Sequence, residues 1–156
     1  MNTILIITIV SGIVFLMVIL FVIVKKQRKE QILQFLEVNK TRAIVKLYSN
    51  NAKINDIDIS RLNSINGEQG QKIVALETCT HTFEGRFFAS DTKDNVNYRS
   101  KKVKFSLDLE NGHTYKLGLY FLPPDQITGK TIFIFPLGEE CDSACSQMHI
   151  ICYEED

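Results

Sequence analysis

The sequence predicts an all-β fold, a small antiparallel β-sandwich of about seven or eight strands preceded by a single N-terminal transmembrane helix. Two observations carry this prediction. The run Ile4–Val24 is apolar and contains no charged side chain. From residue 42 onward, β-branched and aromatic residues alternate with polar ones between short clusters of turn residues. The 156-residue chain therefore has room for one anchor and one modest domain.

The apolar run has the length and the flank of a membrane anchor. A helix rising ~1.5 Å per residue crosses the ~30 Å hydrocarbon core in about 20 residues. Four basic residues follow the run at once, Lys25, Lys26, Arg28 and Lys29. We therefore predict a transmembrane anchor with a basic flank over 1–29, a helical stalk over 30–40 and a β-sandwich over 41–156.

Two other interpretations of this segment agree less well with the sequence. A secretory signal peptide would have basic residues before its apolar core and small residues at a cleavage site, and Met1-Asn2-Thr3 and Val22-Ile23-Val24 provide neither. A buried helix of a soluble core would need more surrounding protein than the remaining chain provides. The anchor interpretation predicts that residues 4–24 contact the lipid bilayer of a cell membrane.

The basic flank also predicts an orientation. Lysine and arginine close to a membrane helix tend to remain on the cytoplasmic side, which favours a cytoplasmic C-terminal domain. An extracytoplasmic domain is the alternative, since small anchored bacterial β-domains also occur outside the membrane. The small side chains of Thr8 and Ser11-Gly12 leave homo-oligomerisation through the anchors open.

The elements after the anchor follow from local pattern. Good helix formers with an apolar stripe over residues 30–36 predict that the helix continues as a stalk until Asn39-Lys40-Thr41. Beyond that point only strands are expected. The predicted strands are Arg42–Ser49, Ile57–Leu62, Lys72–Glu77, His81–Ser90, Lys101–Leu109, His113–Phe121, Lys130–Pro136 and Met148–Tyr153.

Turn residues between these strands favour an antiparallel order. Asn111-Gly112 accommodates the positive φ angles of a tight turn, so we expect Val103–Leu109 and Tyr115–Phe121 to pair as a hairpin. Residues 91–95 are polar and predict a second hairpin tip. Pro123-Pro124 lacks backbone donors and is expected to end its strand.

Composition and motifs argue against several classes of function. Beyond residue 29 the chain has 14 basic and 18 acidic residues, a mildly acidic balance that disfavours nucleic-acid binding. The sequence lacks a Gly-x-Ser-x-Gly elbow, a phosphate-binding Gly-x-x-x-x-Gly-Lys loop and a His-Glu-x-x-His pair. We expect no enzymatic activity, no catalytic residues and no cofactor.

Two segments resemble a known class of bacterial domain. Leu76–Phe83, and Phe105–Leu117 with its Asn-Gly turn, are similar to the paired signature of PEGA-like or carbohydrate-binding-like β-sandwich domains. The resemblance covers roughly residues 42–121, and Thr78 and Cys79 stand where the family has Pro-Gly. It implies a non-catalytic module of a membrane-associated bacterial protein, and no particular ligand.

The C-terminal region has the chain's one dense group of metal-ligating residue types. Cys141, Cys145, His149 and Cys152 are the candidate ligands, and structural zinc takes about four such side chains. Their spacing matches no familiar zinc knuckle, so the primary expectation is no metal, with Cys152 a buried apolar residue. A metal-stabilised or thiol-bearing sensor domain is the alternative function. A Cys141–Cys145 disulfide is expected only in an oxidising compartment.

The aromatic residues suggest where a protein partner binds. Most of them are needed to fill a core of this size. The alternative is that Phe87-Phe88 or Tyr120-Phe121 places one ring outward to engage a partner protein. An exposed edge strand offers a second means of pairing with a partner. The sequence thus predicts a membrane-anchored interaction or accessory module of a membrane assembly.

Overall fold

A computed structural model describes residues 2–91, 96–121, 129–137 and 148–155, without the side chains of residues 2–10, 50, 69, 91 and 96. The predictions at Pro123-Pro124, Cys141 and Cys145 lie outside these residues. The chain divides into two compact units, Met1–Glu37 and Val38–Asp156.

The first unit is one helix. α1 runs from Asn2 to Val38 over 37 residues, so helix continues through the basic flank into the predicted stalk and stops before Asn39. Its described side chains begin at Ser11 and are mostly exposed. Lys26 and Glu30, one turn apart, form an exposed ion pair of 4.0 Å. Among the described residues, no helix has the length and apolarity needed to cross a membrane.

The second unit is built from strands. The described part of the chain contains eleven of them and two short 3-10 turns, Ile59–Arg61 and Glu68–Gly70. The strands are β1 (Ala43–Leu47), β2 (Ser49–Ile54), β3 (Ile57–Asp58), β4 (Ser64–Asn66), β5 (Lys72–Leu76), β6 (Cys79–Asp91), β7 (Val96–Arg99), β8 (Val103–Leu109), β9 (Thr114–Tyr120), β10 (Lys130–Pro136) and β11 (His149–Glu155). The mostly-β class is confirmed, and the strand count exceeds the prediction.

Two sheets hold these strands. One has the order β10-β11-β9-β1-β5-β4, and the other has the order β3-β2-β6-β7, with β8 also paired to β6. All pairs are antiparallel except β1 with β9, where Ile44–Leu47 runs parallel to Thr114–Leu117. A purely antiparallel arrangement was therefore the wrong expectation at this one pair.

The expected hairpin at Asn111-Gly112 is also wrong. β8 pairs with β6, while β9 pairs with β1 and β11, so the turn connects the two sheets. Gly112 has a φ of +80°, as the turn chemistry predicted, and its N–H donates to the Arg42 carbonyl at 3.1 Å. The turn residues fixed the local bend, but strand pairing followed burial of the apolar face of β8.

Two predicted strands do not run over their whole predicted length in the structure. The run Arg42–Ser49 separates at Tyr48, where the chain leaves one sheet and enters the other. In Ile57–Leu62 only the first two residues form a strand. The Asp58 carboxylate accepts a hydrogen bond from the Ser60 N–H at 2.9 Å, which caps a 3-10 turn instead.

The second predicted hairpin is confirmed. β6 and β7 pair from Phe88 to Asp91, and its tip at 92–95 lies outside the described residues. β7 and β8 are successive segments beside the same long strand, β6. At the break between them, the buried Ser100 hydroxyl accepts from the Phe87 N–H at 2.9 Å and donates to the Lys101 carbonyl at 2.8 Å. This serine replaces the missing ladder bond.

Residues from both sheets form one hydrophobic core. On β8 the alternation of buried and exposed residues is complete from Val103 to Leu109, as predicted. Phe105 lies at the centre of the aromatic packing, with its ring 6.0 Å from Phe83, 5.8 Å from Phe87 and 4.9 Å from Phe133 between centroids. Aromatic contacts therefore hold β6, β8 and β10 together.

Phe105→Ala should lower the free energy of unfolding by about 3–5 kcal/mol, because it removes a buried ring that touches several others. Urea denaturation of the full chain in detergent, followed by circular dichroism, measures this loss. Phe121→Ala is the matched control, since Phe121 is 39% exposed and should cost much less. Equal losses for the two variants would contradict this description of the core.

Candidate ligand-binding site

A cleft opens where the chain crosses between the sheets. Tyr48 lies at the crossing, with its N–H donated to the Leu117 carbonyl at 3.1 Å and its carbonyl accepting from the Phe88 N–H at 3.5 Å. β9 pairs with β1 as far as its residue Leu117 and then continues. β6 pairs with β2 as far as its residue Phe87 and then continues. The two strand ends and Tyr48 border a cavity of about 500 Å³.

Aromatic rings dominate the lining of this cavity. Its walls are formed by Tyr48, Phe88, Ala89, Ser90, Lys116, Gly118, Leu119, Tyr120 and Tyr153. The rings of Tyr120 and Tyr153 meet edge to face with centroids 5.9 Å apart. Tyr120 also lies against Gly118, where a Cβ would be 3.2 Å from the ring. Glycine at 118 therefore makes room for the Tyr120 ring.

Three side chains supply the charge at the site, and we call them the triad: Lys46, Lys116 and Glu155. Lys46 is directly beside Lys116 in the parallel pair, and Lys116 is directly opposite Tyr153 on β11. Both ammonium groups form ion pairs with the Glu155 carboxylate. The Lys116 ammonium also lies 5.9 Å from the centre of the Tyr153 ring, within cation–π range.

The ion pairs shift the pKa values of Lys116 and Glu155. The hydrogen bond to Glu155 raises the pKa of Lys116, so its ammonium stays charged at neutral pH. Burial by itself would raise the pKa of Glu155, but hydrogen bonds from Lys116 and Lys46 and their charges bring it below its ordinary value. Two cations share one anion, so this triad has a net positive charge.

Tyr120 and Tyr48, two tyrosines of the cleft, stay neutral at neutral pH. Burial, followed by the hydrogen bond with Tyr153, raises the pKa of Tyr120 far above its usual value. Burial also raises the pKa of Tyr48, with Lys116 opposing the rise and the Glu155 and Glu68 carboxylates adding to it. Neutral phenols provide both a hydrogen-bond donor and an apolar ring surface. The cleft thus offers rings, hydroxyls and one ammonium, which are groups suited to recognition.

A second polar cluster surrounds His81 at the start of β6. The Asn55 amide nitrogen lies 3.0 Å from His81 Nδ1, and its oxygen accepts from the Thr82 N–H at 2.9 Å, which fixes the amide orientation. His81 Nε2 therefore carries the proton and donates to the Glu77 carbonyl at 2.8 Å, with Cys79 Sγ at 3.2 Å. In this tautomer Nε2 does not accept a proton from the thiol. The buried histidine thus connects Asn55 to the backbone before β6, which is a structural role.

A third cluster joins the end of β11 to the turn before β9. His113 Nδ1 contacts the Glu154 carboxylate, and Nε2 lies 3.8 Å from the exposed Glu110 carboxylate. His113 thus has acidic partners on both sides and connects the turn to the sheet. Its position also agrees with a structural role.

The described members of the C-terminal candidate metal set do not converge. His149 and Cys152 are three residues apart on β11, so their side chains lie on opposite faces. Cys152 is fully buried in the core, and burial raises its pKa to about 12. His149 Nδ1 is buried and has no hydrogen-bond partner among the described residues. In that part of the chain, no three His, Cys, Asp or Glu side chains are grouped to hold a metal.

Both aromatic pairs place a ring at the surface. Phe87 is buried in the core, while Phe88 lines the cleft. Tyr120 also lines the cleft, and Phe121 is 39% exposed and packs edge to face on Tyr98 at 4.4 Å. The sequence thus indicated the two aromatic pairs but not which ring of each lines the cleft. The basic flank residues Lys25, Lys26, Arg28 and Lys29 are exposed on α1.

Sequence reasoning missed Tyr48, Lys116 and Tyr153. They come from three strands that are distant in the chain, and only the register of β1, β9 and β11 brings them together. The one local signal was the alternation of polar and apolar residues along β9, which assigned Lys116 to the face opposite the core.

Comparison with protein-family models, with curated proteins and with solved structures found no significant match.

Tyr120→Phe should make stability less sensitive to alkaline pH. The unfolded chain ionises tyrosine near pH 10, whereas folded Tyr120 keeps its proton, so its contribution to stability is complete below about pH 10 and declines above it. The stability advantage of the wild type over the variant should shrink by up to about 1.4 kcal/mol per pH unit. Urea unfolding of both chains at about pH 9 and about pH 11 measures this. A constant difference would show that Tyr120 titrates normally.

Proposed function

We propose that this chain is a single-pass membrane protein whose β-sandwich is a non-catalytic protein-interaction module. The observation that carries the proposal is the cleft at Tyr48, with its outward aromatic rings and the Lys46–Glu155–Lys116 triad. Large rigid rings beside a charged group are typical of surfaces that recognise protein partners.

The anchor part of the proposal rests on the sequence. Residues 4–24 are apolar without a charge, and Lys25, Lys26, Arg28 and Lys29 follow immediately. A helical backbone over Asn2–Val38 agrees with a span there, because a helix satisfies its own backbone hydrogen bonds in lipid. The positive flank favours a cytoplasmic domain.

The chemistry of the cleft supports recognition over catalysis. The phenols of Tyr120 and Tyr48 stay protonated, and the Lys116 ammonium is held in an ion pair, so none of these three groups is poised as a nucleophile or base at neutral pH. The Cys79–His81 pair lies in a different cluster, and its histidine Nε2 donates its proton to the Glu77 carbonyl and so does not accept one from the thiol. Binding energy is thus the contribution that these side chains can make.

A photo-crosslinking amino acid at position 90, which is exposed at the cleft, should form discrete adducts with a partner in cells. The same probe at exposed position 60, on the Ile59–Arg61 turn, is the matched control and should not. Tyr48→Ala should reduce the position-90 adducts several-fold, since it removes a wall of the cleft. Adducts of equal yield from both positions, insensitive to Tyr48→Ala, would show that the cleft is not the interaction site.

Alkaline carbonate should fail to extract the full chain from membranes, whereas a variant with Val14→Arg and Leu16→Arg should be extracted, because charge within the span is costly.

Exposed Cys79 reports the orientation of the domain in a Cys141→Ser, Cys145→Ser background. An impermeant maleimide should label it only after cell lysis, and Cys79→Ser is the control. Labelling in intact cells would place the domain outside, and full carbonate extraction of the wild type would exclude the anchor.

A further inference from the structure

Among the described residues, each wall of the cleft also has a strand edge without a neighbouring strand. Tyr48 N–H bonds to the Leu117 carbonyl, so the backbone groups of Leu117 point toward β1. Because these groups alternate along a strand, the N–H and carbonyl of Leu119 point the same way, beyond the end of β1. Phe88 N–H points toward Tyr48, so the backbone groups of Ser90 likewise point into the cleft. Each wall thus presents a short strand edge.

We propose that the partner enters this cleft as an extended, acidic peptide segment that adds to the end of β9. This inference rests on the interaction function proposed above and specifies its ligand. β1 pairs with β9 only as far as Leu117. The peptide would lie beside residues 118–120, in line with the end of β1, and its backbone would bond to Leu119. The rings of Tyr48, Tyr120 and Phe88 would contact its alternate side chains.

Charge complementarity selects an acidic segment. Within the triad, two ammonium groups share the single carboxylate of Glu155, and Lys116 is the charged residue that lines the cleft. A carboxylate from the peptide beside Lys116 would add a second anion to the triad and balance its charge. A basic peptide would bring its positive charge to Lys116 and be disfavoured.

The first test uses the full chain in detergent and the peptide Val-Glu-Val-Glu-Val-amide with fluorescein on its N-terminal amine, measured by fluorescence anisotropy. Methylating alternate backbone nitrogens of the peptide, on the edge that faces β9, should weaken binding about tenfold or more, because it removes the donors needed for strand addition. Replacing both glutamates by lysine should weaken it similarly. The Lys116→Gln variant should bind the acidic peptide less well and lose most of the preference for glutamate over lysine.

Amide resonances locate the peptide. In the ¹⁵N-labelled chain, the Ser90 and Leu119 amides should shift on peptide addition, and Ser60, on the distant turn, should not. Ser90→Pro removes the backbone donor on the opposite wall, and Ser90→Ala keeps it. If both fold with similar circular dichroism, peptide binding that depends on β9 should survive in both, whereas loss in the proline variant alone would assign the peptide to β6 and overturn the β9 assignment.

Two results would overturn the proposal outright. They are equal binding of the methylated and unmethylated peptides, and no binding of the acidic peptide up to about 1 mM. If position-90 crosslinks persist in either case, strand addition is wrong and the interaction function stands. If the crosslinks also fail, the proposed function itself is wrong.

Discussion

The backbone of Tyr48 is the connection on which the β-domain depends. Its N–H donates to Leu117 in the sheet that contains β9, and its carbonyl accepts from Phe88 in the sheet that contains β6. This single residue therefore satisfies both of its backbone groups while the chain passes from one sheet to the other. Beyond this passage, among the described residues, β9 continues without a β1 partner and β6 continues without a β2 partner. The cleft is a direct result of that geometry.

The parallel pair of β1 and β9 has an electrostatic consequence. It places Lys46 directly beside Lys116, and neighbouring like charges on one face of a sheet are unfavourable. Glu155 at the end of β11 compensates by pairing with both lysines. Because the triad is partly buried, its charges interact more strongly than a fully exposed pair would. The same groups that stabilise the sheet give the cleft its positive character.

Two small residues, Gly118 and Ser100, allow aromatic residues to pack in this domain. Gly118 allows the Tyr120 ring to lie against the backbone of β9, which positions a ring at the cleft. Ser100 uses its hydroxyl to satisfy the Phe87 N–H where β7 gives way to β8. The first residue serves the proposed site, and the second keeps β6 continuous beneath it. Small residues thus allow the aromatic side chains to pack without leaving backbone groups unsatisfied.

The sequence by itself determined the N-terminal helix, the strand-rich remainder and the alternating faces of β8, because each depends on neighbours along the chain. Tertiary structure alone decided which strands pair. The Asn111-Gly112 turn set a bend, yet the partners of β8 and β9 were chosen by burial against strands far away in sequence. The membrane anchor stays a prediction. Tyr48, Lys116 and Tyr153 became one site only through register, a property of pairs of strands that no single segment contains.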